Sequence, residues 1–116
     1  MSVVYELTEQ PIGGGLNVEV TSDVFSYRLV NLSYAQSGAG EKVLGRTKLE
    51  THSGKPAAID NLGILIVEAG GTVTPQGKVE SDALGRAVDH TTGEHFGYAL
   101  TGATTAGQRV LVAWGI

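Results

Sequence analysis

Glycine punctuates this chain from Gly13 to Gly115. No segment between the glycines keeps a 3.6-residue apolar period with capping residues at its ends. Seventeen of 116 residues are glycine, about twice the usual share. They are spread along the chain, as tight turns between many short strands require. No self-similarity at repeat-array spacing is visible. The expected fold is therefore all-β, a small β-barrel or β-sandwich (β-tulip-like) with an extended N-terminal arm. The length suits a single core, divided as an arm with a glycine hinge over 1–15 and one β domain over 16–116.

The arm is read from Val3 to Leu7, a short apolar segment, followed by Gln10-Pro11-Ile12 and the run Gly13-Gly14-Gly15. Proline removes a ladder donor, and three glycines cannot specify one path. Such an arm packs on its own domain, on a neighbouring subunit or on a partner.

Further on, Leu16, Val18 and Val20 alternate with Asn17, Glu19 and Thr21, the period of a half-buried strand. Val24 to Tyr34 carries apolar side chains on both faces, which predicts a strand covered on both sides. Val43 to Thr51 reads as another strand. Ala57 to Asp60 fits one helical turn or the start of a strand. Leu62 to Ala69 is the clearest buried strand. Thr74-Pro75-Gln76-Gly77 predicts a type I turn, with Pro second and Gly fourth. Phe96 to Leu100 and Val110 to Trp114 are the last strands.

Composition narrows the function classes. Charged residues make up 17% of the chain, below the usual quarter, which leans toward a surface partly covered by a partner. The formal net charge is −4, and the eight Lys and Arg residues stand singly from Arg28 to Arg109. A phosphate-neutralising patch is absent, so nucleic acid is disfavoured as a partner. The absence of cysteine removes disulfides, thiolate chemistry and cysteine-ligated zinc together. Residues 1–6 show neither a basic n-region nor an apolar h-region, so no signal peptide is expected. The longest apolar run, Leu62 to Val67, is too short to span a bilayer. A cytosolic product without a membrane partner is expected.

Chemistry-bearing constellations are weak. Asp89-His90 and Glu94-His95 flank Thr91-Thr92-Gly93, but their spacing matches no known metal motif and suits a polar hairpin tip. Ser53 and Ser81-Asp82 lack a nucleophile-elbow context. Gly13-Gly14-Gly15 lacks the Lys-Ser/Thr of a phosphate loop. We therefore expect no enzyme activity, no catalytic or metal residues and no cofactor. Trp114 reads either as core or as an anchor at a subunit interface, where Trp is enriched.

The last third of the chain carries a resemblance. Ala69-Gly70-Gly71-Thr72-Val73-Thr74-Pro75-Gln76-Gly77 leads into Gly85-Arg86-Ala87-Val88. The closing set is Gly97, Ala99, Leu100, Ala106, Gly107, Val110 and Val112. Over residues 69–114 the chain resembles the small capsid cement, or head decoration, proteins of tailed bacteriophages. The resemblance implies a structural virion protein made in the host cytoplasm. It would bind the outer surface of the expanded head and stabilise the capsid by bridging major capsid protein subunits. It also implies a homo-oligomer, trimer or dimer. Another virion component, such as a head-fibre base or a tail-tube protein, is the alternative reading. The residues expected to meet partners are Val3, Val4, Tyr5 and Leu7 of the arm, with Tyr34 and Trp114.

Overall fold

The computed structural model describes residues 7–13 and 15–115. Among them are ten strands and no helix. They are β1 Gln10–Pro11, β2 Leu16–Glu19, β3 Arg28–Asn31, β4 Val43–Thr47, β5 Pro56–Asp60, β6 Gly63–Glu68, β7 Lys78–Ser81, β8 Ala87–Asp89, β9 His95–Ala99 and β10 Arg109–Trp114. Six form a curled half-barrel sheet in the order β1-β6-β10-β9-β7-β8, and the other four form a second sheet in the order β2-β5-β4-β3. Every pairing between these strands is antiparallel. The fold is all-β, as the glycine spacing predicts.

Alternation builds the core. Along β10, Val110, Val112 and Trp114 point inward. They join Leu65, Val67, Val79, Phe96 and Ala99 in the larger apolar cluster. A smaller cluster, Val20, Val24, Val30, Ala57 and Ile59, lies within the four-stranded unit. Leu29 belongs to the larger cluster and its neighbour Val30 to the smaller. Successive side chains of a strand point to opposite faces, so β3 is covered on both sides.

Several boundaries differ from the sequence expectation. The strand expected over Val24–Tyr34 is confined to Arg28–Asn31. Tyr27 before it has φ 58° and Tyr34 after it φ 64°. Asn31 ends the strand physically: its Oδ1 accepts from the amides of Ser33 and Ala35, both at 3.0 Å. That geometry is the local turn asparagine favours. The strand expected over Val43–Thr51 stops at Thr47, and Thr51 instead bridges Val24. Ala57 to Asp60 is strand.

The Thr74–Gly77 turn is type II rather than type I. Gly77 N–H donates to Thr74 O at 3.1 Å, but Gln76 at the third place has φ 71°. The left-handed glutamine is held by tertiary contact, its amide donating to Ala99 O at 2.7 Å.

Candidate functional site

The four-stranded sheet places one charged side chain where an apolar one is expected. In register, Leu29 lies opposite Arg46, and Arg46 opposite Asp60. Residues directly opposite share a face, and in this row that face meets β6. Arg46 is wholly buried. Its Nη1 donates to Ile66 O at 3.0 Å and to Glu9 Oε1, and its Nη2 donates to Asp60 Oδ2 at 3.0 Å. The guanidinium also lies 5.7 Å from the Tyr27 ring centroid. Preceding it, Gly45 is required by close packing, since a Cβ there would run into the Ile59 side chain and the Asp60 carbonyl. Arg46 thus joins both sheets to the N-terminal segment.

Glu9 completes the junction. Its Oε1 also accepts from the Ile66 amide at 3.0 Å, and Lys48 Nζ stands 3.4 Å from its Oε2. Burial alone raises a carboxyl's pKa, but here the Arg46 hydrogen bond, the Ile66 amide and the charges of Arg46 and Lys48 outweigh it. Together they hold Glu9 below its ordinary value. Beyond Glu9, Gln10 and Pro11 pair with Ile64 and Gly63, and Ile12 N–H donates to Leu62 O at 3.0 Å. From Glu9 to Ile12, the N-terminal segment therefore packs on its own domain.

Next to the junction is an open groove of about 1040 Å³, lined by Leu7, Ile66, Thr101, Gly102, Gly107, Gln108 and Arg109. Arg109 places its guanidinium 4.3 Å from the Tyr27 ring centroid. Elsewhere the surface exposes large apolar side chains. Leu32 and Tyr34 stand out on the turn after β3. Phe25 lies under the Arg28 guanidinium at 5.2 Å, and Leu84 gives its carbonyl to Arg28 Nη1 at 2.9 Å. Phe25, Arg28 and Leu84 therefore form a second, partly apolar surface.

The histidine pair sits at the tip of the β8–β9 connection. The rings lie 5.7 Å apart edge to face, and His90 Nε2 is 2.8 Å from Gly93 O. Asp89 is engaged by the Thr74 amide and hydroxyl at 2.7 and 2.8 Å. The buried carboxylate of Glu80 accepts from the Thr91 and Gly93 amides. Among the described residues, no three His, Asp or Glu side chains are placed to hold a metal ion. Backbone amides and hydroxyls organise this tip.

The expected partner-binding residues fall in different places. Val3, Val4 and Tyr5 lie outside the described residues. Leu7 is half-buried and lines the groove, whereas Tyr34 is exposed. Trp114 is 8% exposed and packs at a tilt against Phe96, ring centroids 4.7 Å apart, within the core. The structure brings none of these three together. Arg46 and Glu9 were not apparent as a site from sequence, and their only signal there is an arginine inside the apolar strand Val43–Thr47.

Fold and surface define a class: a small two-sheet β module whose distinctive features are a buried ionic junction and exposed apolar contact areas. Neither a protein-family model nor a curated protein matches the sequence. Among solved structures, the chain is similar to the N base of the head fibre protein gp8.5 of bacteriophage phi29. The TM-score is 0.73 at 20% identity, over 86% of this chain and 92% of that one. At that identity the likeness establishes a shared fold.

Proposed function

We propose that this chain is a structural protein of a bacteriophage head and serves as the base of a head fibre. The observation that carries this reading is the fold likeness, which runs through nearly the whole of a head-fibre base. It favours the fibre-base reading over that of a cement protein bridging capsid subunits. In this role the protein sits on the outer surface of the virion head without a cofactor and performs no catalysis. Its partners are the major capsid protein and further copies of itself. The surfaces exposing Phe25, Leu32, Tyr34 and Leu84 offer the apolar area that such contacts bury.

Immunogold electron microscopy on purified particles of the phage that encodes the chain tests the proposal. Gold is expected on the head, at the roots of projecting fibres. Gold on the tail alone, or particles free of the protein, would overturn it. An even lattice of gold over the head would replace the fibre base with a decoration role.

A further inference from the structure

Residues 9–12 sit on the body as a short peptide sits in a receptor. The carboxylate of Glu9 is received by the Arg46 guanidinium and the Ile66 amide, with Lys48 beside it. Gln10 and Pro11 add a strand to the edge of β6, and Ile12 N–H reaches Leu62 O. Every receptor group lies beyond residue 45 in the chain. Only Gly13-Gly14-Gly15 ties the segment to β2 in the other sheet, and Gly13 and Gly15 have φ 82° and 69°. On either side of this tether Ile12 is 53% exposed and Leu16 44%.

We infer that the receptor also accepts residues 9–12 of a second copy, so that chains associate by exchanging their first strand. The occupant follows from complementarity. Every contact that fills the site within one chain is available, unchanged, to the same segment of another. Over residues 9–12 the closed and exchanged forms make the same contacts, and they differ in which chain's β2 that segment leads to and in the covering of Ile12 and Leu16. Protein concentration therefore sets the balance between them. The Glu9–Arg46 bond governs how fast the segment leaves, because a buried charge-assisted hydrogen bond must open first. The exchange is a property of the free protein and does not depend on the fibre-base reading.

The chain has no cysteine, which makes the test direct. Gln10 and Ile64 are register partners, within the span of a disulfide across an antiparallel pair. Full-length Gln10→Cys protein is mixed with full-length Ile64→Cys protein under mild oxidation, and disulfide-linked heterodimer is followed by intact mass. A parallel mixture with exposed Ser53→Cys in place of Gln10→Cys measures chance collision. The heterodimer should exceed this control by about tenfold or more. Glu9→Gln in both chains should speed its appearance by about tenfold, as loss of a charge-assisted bond predicts. Heterodimer no more abundant than the control, or a rate unmoved by Glu9→Gln, would overturn the inference.

Discussion

Replacing Arg46 by methionine removes a side chain that ties both sheets to the N-terminal segment. Methionine keeps much of the length and none of the charge. The substitution deletes the bonds to Ile66 O, Asp60 Oδ2 and Glu9 Oε1. It also leaves two carboxylates without their shared cation. Removing one partner of a buried pair costs about 3–5 kcal/mol, because the remaining charge is uncompensated. Asp60 is partly exposed and turns to water, and Glu9 keeps the Ile66 amide and Lys48. The lower part of the range, about 3 kcal/mol, is therefore expected. With a urea slope of about 1–3 kcal/mol/M for a domain of this size, the unfolding midpoint should drop by at least about 1 M. Urea unfolding followed by Trp114 fluorescence measures it. The informative control is the triple variant Glu9→Gln, Asp60→Asn, Arg46→Met, which removes the whole ionic set. Arg46 Nε is buried with no partner among the described residues, so the intact set is imperfectly satisfied. The triple variant should recover most of the loss. A loss below about 1 kcal/mol in Arg46→Met would refute the account of Arg46 as the inter-sheet tie.

Two further predictions follow from the same structure. Glu9 is held below its ordinary 4.5, so the unfolded chain binds that proton more tightly than the native one. Its stabilisation is complete above about pH 4.5 and is lost as pH falls through the lower native value; urea midpoints of wild type and Glu9→Gln should converge below about pH 4.5, and a constant gap would contradict this. Gln76→Gly relieves a left-handed glutamine at φ 71° and should stabilise the protein by about 0.5–1 kcal/mol, seen as a rise in Tm; a lower Tm would show that the Gln76 side chain contributes more than its backbone strain removes.

Local pattern carried much of the fold. The apolar run before Ala69-Gly70-Gly71 is strand β6, and Val110 to Trp114 lies within β10, because alternation and continuous burial are properties of neighbouring residues. Where tertiary contacts compete with local preference, the expectation failed. Gln76 takes a conformation its side chain disfavours because Ala99 O holds its amide. The strand expected from Val24 to Tyr34 is cut short by left-handed Tyr27 before Arg28 and by the Asn31 turn after it.

The site was less legible than the strands. The tether Gly13-Gly14-Gly15 can be read directly, while the apolar segment Val3 to Leu7 lies, apart from Leu7, outside the described residues. Glu9 is an ordinary acid in the sequence, 37 residues from Arg46. Nothing local couples the two. By itself the sequence determined that the chain is a β protein with tightly turned short strands and without cysteine, because these are properties of composition and near-neighbour spacing. Only the tertiary structure decided that Trp114 belongs to the core, that residues 9–12 dock on β6, and that Arg46 is the buried tie. Those outcomes depend on sheet register and on which sheets face each other, and antiparallel pairing between distant strands sets both.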